Sequence, residues 1–255
     1  MKKILIVTIA TLLLLHLFAE NIVNLWKRVS YHSRRVLIET GISSRVRLEE
    51  IYKWMGNKLV FVLAPSNVTW FRTNGRCYLG EAYNLRRSPL EILDLEDLAL
   101  RDIEKAKYTV VKRGEYYEIS FEKNGKYLIF LDKTGIPIKI KRDYMGTVSE
   151  LIFEYREPID KPPDEILSKL SLDESEIYLP EPLMTLLQNF RFFRIQNCKG
   201  NIEIYGIMKN GAKVRICFGT TPPSTGTLTI ELNNMKLFIV TDEKTMETIK
   251  EIIHK

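Results

Sequence analysis

Few residues in this chain have a type and setting suited to bond chemistry. The three histidines are His16 in an apolar run, His32 in a strand-like segment and His254 beside the end. Only His32 has a setting in which imidazole could serve a site, and a single strand histidine is more often structural or solvated. Zinc, nucleophile-elbow, P-loop, dinucleotide and paired-cysteine patterns are all absent. Cys198 and Cys217 flank a hairpin-like stretch, where they could form a disulfide or equally be small buried hydrophobes. Cys77 is left over, and the odd count argues against a disulfide framework. Glu91, Asp94, Glu96 and Asp97 make a carboxylate-rich segment at helical spacing, which reads as a solvated helix face rather than an acid–base pair. Tyr116, Tyr117, Phe190, Phe192 and Phe193 read as core packing rather than ligand stacking. No cofactor or metal is implied, and the balance favours a binding protein over an enzyme.

Charge placement separates the partner classes. The 255 residues carry a formal net charge of +6. Residues 1–35 hold Lys2, Lys3, Lys27, Arg28, Arg34 and Arg35 against Glu20, so the remaining chain is nearly neutral. That excludes a broad nucleic-acid footprint. Lys2 and Lys3 precede the apolar run Ile4–Ala19, the pattern of a signal peptide or an uncleaved signal-anchor. Lys27, Arg28, Arg34 and Arg35 follow the run, where anionic lipid headgroups could attract them. They also stand on the side where the positive-inside rule expects fewer basic residues in an exported chain. The expected location is the periplasm or cell envelope.

The elements that would position any site are mostly strands. Val29–Thr40 is rich in β-branched and aromatic residues. Val46–Met55 alternates, with Val46, Leu48, Tyr52 and Trp54 on one face and Arg47, Glu49 and Lys53 on the other, Glu50 and Ile51 being out of pattern. Lys58–Ala64 follows a Gly56-Asn57 turn, and Asn74-Gly75 marks a hairpin between Thr69–Thr73 and Arg76–Leu79. Ser88–Ala106 reads as one helix or two short ones, with Ser88 as N-cap, Pro89 in the first turn and Glu91 completing a capping box. Five strands with short connections then predict an antiparallel meander over residues 108–156. After Leu183–Phe190, expected to be helical, two hairpins and a helix from Glu243 capped by Asp242 form a small α+β unit. The expected division is 1–26 as signal or anchor, 27–170 as a β domain and 171–255 as the α+β domain.

Several stretches resemble one family. They are SYHSRRVLIET (30–40), GNKLVFVLAP (56–65), TWFRTNGRCYLG (69–80), FLDKTGIPIKIKRDYMGTVSELIFEY (130–155) and YLPEPL (178–183). With the order of elements, these resemble the LolA-like superfamily of periplasmic lipoprotein and lipid carriers, nearest its two-domain MucB/RseB branch of envelope-stress regulators. The resemblance implies an α+β fold with a strongly curved antiparallel sheet, a half-barrel covered by helices, before the small domain. It implies no catalysis and a cavity for a hydrophobic ligand, a lipid, acyl chain or lipoprotein, with Val60, Val62, Trp70, Phe130 and Phe153 as candidate lining. The alternative it implies is a regulatory module docking on the extracytoplasmic segment of a membrane-protein partner such as an anti-sigma factor. The branch's arginine- and glycine-rich segment is not evident in this chain's second domain.

Overall fold

The computed structural model describes residues 21–41, 44–65, 67–144, 146–177, 181–198, 201–210, 212–218, 227–232 and 235–253. Helix α1 (residues 21–28) leads into β1 (Tyr31–Thr40), β2 (Arg45–Trp54) and β3 (Asn57–Ala64). A meander of β4 (Val68–Thr73), β5 (Arg76–Glu81) and β6 (Asn84–Ser88) precedes α2 (Leu95–Ile103). Then come β7 (Tyr108–Arg113), β8 (Tyr116–Glu122), β9 (Lys126–Asp132), β10 (Pro137–Tyr144), β11 (Thr147–Pro158) and α3 (Asp164–Lys169). The remainder is β12 (Ser171–Glu176), α4 (Glu181–Gln188), β13 (Phe190–Cys198), β14 (Asn201–Met208), β15 (Lys213–Phe218), β16 (Thr227–Leu232), β17 (Met235–Val240) and α5 (Glu243–Ile253).

Twelve strands build a mostly antiparallel, curved but unclosed sheet in the order β12-β6-β5-β4-β3-β2-β1-β11-β10-β9-β8-β7. Five more build a second sheet in the order β13-β14-β15-β17-β16. The chain divides into two compact units, residues 1–60 with 93–169 and residues 61–92 with 170–255.

In the first unit, β1 alternates strictly. Tyr31, Ser33, Arg35, Leu37 and Glu39 are buried, while the residues between them are half-buried or exposed. Register carries this inner face across the sheet. Leu37 lies opposite Leu151, Leu151 opposite Ile140, Ile140 opposite Ile129 and Ile129 opposite Ile119. All five are at most 3% exposed. The result is one aliphatic row crossing β1, β11, β10, β9 and β8, joined above by buried Ile22, Val23 and Trp26 of α1 and Leu95, Leu98, Ala99 and Ile103 of α2. Asn124-Gly125 makes the β8–β9 turn with both residues at positive φ, as the sequence suggests.

In the second unit, β4, β5 and β6 pair antiparallel, and β12 adds in parallel to β6. Every residue of β12 is exposed. Glu174 of β12 accepts from Tyr78 Oη at 2.7 Å and pairs with Arg76 at 3.0 Å. The five-stranded sheet buries Ile204, Met208, Val214, Ile216 and Ile239 with Leu183, Leu186 and Leu187 of α4 and Ile249 of α5. Asp242 caps α5 as expected, accepting from Thr245 N at 3.0 Å and Thr245 Oγ1 at 2.7 Å.

Candidate functional site: a helix pinned to the inner sheet face

The site begins with a charged face of β2 that is buried. By pattern, Val46, Leu48, Tyr52 and Trp54 form its apolar face; Tyr52 and Trp54 are buried, but Val46 is 64% exposed, while Glu49 on the charged face is 0% exposed. The face carrying Arg47, Glu49 and Lys53 turns inward because β1 beside it presents Arg35 opposite Glu49 and Tyr31 opposite Lys53. Lys58 of β3 is 1% exposed and projects to the same cluster. Three buried cations so line a region where an apolar core is the ordinary expectation.

Helix α2 supplies the counter-charges. Its N-cap is Asp94, not Ser88. Asp94 Oδ1 accepts from Asp97 N at 2.9 Å, and Asp97 Oδ2 accepts from Asp94 N at 3.1 Å, closing a capping box. Ser88 is the last residue of β6, paired with Cys77, and its hydroxyl donates to Leu90 O at 2.9 Å. The strand and the turn after it delay the helix by six residues. The carboxylates expected on a solvated face are instead internal: Asp94, Glu96 and Asp97 are at most 7% exposed.

The contacts are dense and specific. Lys58 Nζ donates to Asp97 Oδ1 at 2.7 Å, to Glu96 Oε2 at 2.9 Å and to Asp94 Oδ1 at 3.1 Å. Arg35 Nη2 donates to Asp94 Oδ2 at 2.6 Å and Arg35 Nε to Glu49 Oε2 at 2.7 Å. Lys53 Nζ donates to Glu96 Oε1 at 2.9 Å and to the Trp26 carbonyl of α1 at 3.1 Å. Tyr31 Oη and Trp26 Nε1 also donate to Glu96, at 2.8 and 3.1 Å. Arg47 contacts the second oxygen of Glu49. Arg35, Arg47, Lys53 and Lys58 thereby balance Glu49, Asp94, Glu96 and Asp97.

Electrostatics follow from that balance. Burial alone would raise Glu96, but Lys53 and then Lys58 outweigh it and hold the carboxyl at about 2. Burial likewise opposes ionisation of Asp94, yet Lys58 and Arg35 hold it well below the usual carboxylate range. Glu49 is lowered too, burial again being overcome by Arg47 and Arg35. Burial, reinforced by Glu96, pushes the Tyr31 phenol well up. Glu49, Asp94 and Glu96 are therefore anions and the Tyr31 phenol neutral across the physiological range.

The far end of α2 is also tied by polar groups. Asp102 accepts from Tyr127 Oη of β9 at 2.8 Å and from Asn124 Nδ2 at 2.7 Å. Burial first, with the Asp102 charge adding to it, raises the Tyr127 phenol. The helix is thus anchored at β1–β3 by its N-terminus and at β9 by its C-terminus. Leu95, Leu98, Ala99 and Ile103 provide its apolar side between those anchors. An open cleft of about 400 Å³ lies by its C-terminal end, lined by Val23, Asn24, Lys27, Ile103, Glu104, Ala106 and Tyr108.

The other residues singled out in the sequence scatter. Phe153 is on the inner face, edge-on to Tyr31 at 6.0 Å and 5.8 Å from the Arg35 guanidinium. Val60, two residues from Lys58, is fully buried on that face of β3, and Val62 is next along it at 2% exposure. Trp70 is buried in the second unit, opposite Leu79. Phe130 departs from the expected lining. It alternates with buried Ile129 and Leu131, so it lies on the other sheet face, half-buried and edge-on to Tyr116 at 5.7 Å.

Of the four basic residues after the apolar run, Arg28 and Arg34 are exposed and Lys27 pairs with Glu104 at 3.2 Å. Arg35 is fully buried in the cluster, out of reach of any headgroup layer on the outside. His32, on the outer face, bonds Glu50 at 2.8 Å and stacks on Tyr52 at 4.4 Å. Cys217 is buried opposite Glu203 and the Cys198 backbone lies opposite Asn201; the Cys198 side chain lies outside the described residues. The apolar run Ile4–Ala19 also lies outside them, and no helix among the described residues is long and apolar enough to cross a membrane. No group of three His, Cys, Asp or Glu among the described residues is placed to hold a metal ion.

No protein-family model and no curated protein matches the sequence. Similar solved structures include a LolA superfamily protein from Nitrosomonas europaea, at 11% identity and TM-score 0.34, over 58% of this chain and 96% of that one. A DUF1329 family protein from Desulfovibrio piger aligns at 10% identity and TM-score 0.35, over 57% and 92%. An outer membrane lipoprotein-sorting protein domain from Vibrio parahaemolyticus aligns at 14% identity and TM-score 0.30, over 55% and 88%.

Proposed function

We propose that this chain is a non-enzymatic, extracytoplasmic, membrane-associated carrier or sensor of a hydrophobic ligand: a lipid, an acyl chain or a lipoprotein. The observation that carries the reading is the continuous aliphatic row Leu37–Leu151–Ile140–Ile129–Ile119 under a helix held by polar anchors at both ends. An apolar chain needs an uninterrupted apolar track, and this row supplies one across five strands. Ion pairs at one end and hydrogen bonds at the other hold α2 in place, with Leu95, Leu98, Ala99 and Ile103 buried between them. Asp94 and Glu96 are held as anions by the cations beside them, which suits positioning and not proton transfer. Membrane association rests on the apolar run at the amino terminus.

The test is mass spectrometry of the full chain after gentle purification. The carrier reading expects a bound acyl-bearing molecule released by organic solvent. Recovery of a stoichiometric membrane protein and no lipid would instead favour the MucB/RseB-type regulatory module. Protein without bound lipid that also fails to take up fatty-acyl probes would overturn the carrier reading.

A further inference from the structure

The aliphatic row does not end in another apolar residue. Its β2 neighbour, opposite Leu37, is Arg47. Arg47 shares the Glu49 carboxylate with Arg35, so two guanidiniums stand side by side at one end of the row. Each keeps a donor in reserve. Among the described residues, Arg35 Nη1 and Arg47 Nε are buried and have no hydrogen-bond partner, and Glu49 Oε1 beside them meets Arg47 as an ion pair without a formal hydrogen bond. Buried charged donors without acceptors are costly, and guanidinium is the side chain suited to carboxylate and phosphate oxygens. Phe153 lies against the Arg35 guanidinium on the row's side.

We infer that the ligand is an anionic amphiphile, whose chain lies along the row and whose carboxylate or phosphate oxygens meet Arg35 Nη1 and Arg47 Nε. The inference rests on the carrier reading and narrows it to a ligand with a charged head. Strands about 4.8 Å apart put Ile119 roughly 24 Å from Arg47, room for a long fatty acyl chain. Leu95, Leu98, Ala99 and Ile103 of α2 are buried, so the chain reaches the row only when the polar anchors let that side of the helix lift, while the head takes up the two donors left over by Glu49 and Asp94. Arg47 is the residue to probe, because Arg35 also neutralises Asp94 inside the cluster. The Arg47 side chain is 12% exposed, at the rim.

The experiment measures binding of palmitate, methyl palmitate and a lysophosphatidate to the full chain and to Arg47→Gln and Arg47→Lys, with thermal melting to confirm folding. Palmitate or lysophosphatidate is expected to bind, with Arg47→Gln weakening it by about tenfold or more and Arg47→Lys by less. The neutral ester is expected to bind more weakly than palmitate and to ignore both substitutions. The tighter of the two acids identifies the source of the head. Equal binding of acid and ester, unchanged in Arg47→Gln, overturns the charged-head inference and leaves the carrier reading standing. No binding of any of the three overturns both. Displacement of palmitate by inorganic phosphate at the same concentration overturns the chain's place in the site.

Discussion

Arg34 and Arg35 are adjacent on one strand and have opposite surroundings. Arg34 faces out and is exposed, while Arg35 is fully buried, wedged between Glu49 and Asp94. The contrast extends to the whole β1–β2 ribbon. Its outer face carries half-buried His32 and Glu50 against the buried Tyr52 ring, and its inner face carries Tyr31, Arg35, Glu49 and Lys53 under α2. Partly exposed ion pairs contribute little because water competes for both partners. Buried ones are strongly interdependent, since removing one partner strands the other charge away from water. The same residue types thus decorate one face and organise the other.

The largest break in that contrast is Lys58→Met. It removes the ammonium that Asp94, Glu96 and Asp97 share. A loss of about 3–5 kcal/mol in chemical denaturation at neutral pH is expected. A change below about 1 kcal/mol would mean the cluster is not a unit. Next is acidification. Glu96 sits at about 2 against an ordinary 4.5, and Asp94 and Glu49 are depressed as well. Their contribution is fully present above the ordinary carboxylate values and is lost as pH falls through about 4.5 toward 2. Denaturation at pH 7, 5 and 3 should show little change over the first interval and a marked fall over the second. The gap between wild type and Lys58→Met should narrow at pH 3.

Tyr127→Phe loosens the other end of α2. Asp102 keeps Asn124 but loses the phenol, so about 1–3 kcal/mol should go, with faster hydrogen exchange toward Ile103. The smallest effect is Arg34→Ala on the exposed face, within about 0.5 kcal/mol of wild type by thermal melting. A larger loss there would erase the distinction between the faces.

Local rules in the sequence reached the strands of the meander and their turns. Asn74-Gly75 and Asn124-Gly125 make their turns at positive φ as those residue types demand. The rules failed where partners are far apart in the chain. Nothing within Ser88–Ala106 says that Asp94 and Glu96 will meet Lys58, Lys53 and Arg35, so an acidic helix start reads as solvated. The signal present was the charged stripe of β2, Arg47, Glu49 and Lys53, matched by Arg35 on the neighbouring strand. Only the β1–β2 register shows that this stripe turns inward. Strand β12 escaped for another reason. SLDESE has no apolar alternation, and its edge position and parallel pairing to β6 come from tertiary placement.

The central claim, that the inner face under α2 receives an acyl chain, is tested most directly by hydrogen–deuterium exchange on the full chain with and without palmitate. The account predicts altered exchange in Leu95–Ile103 and in the strands of the aliphatic row, β1 and β8 to β11. Exchange unchanged throughout, or changed only within residues 61–92 and 170–255, would contradict it.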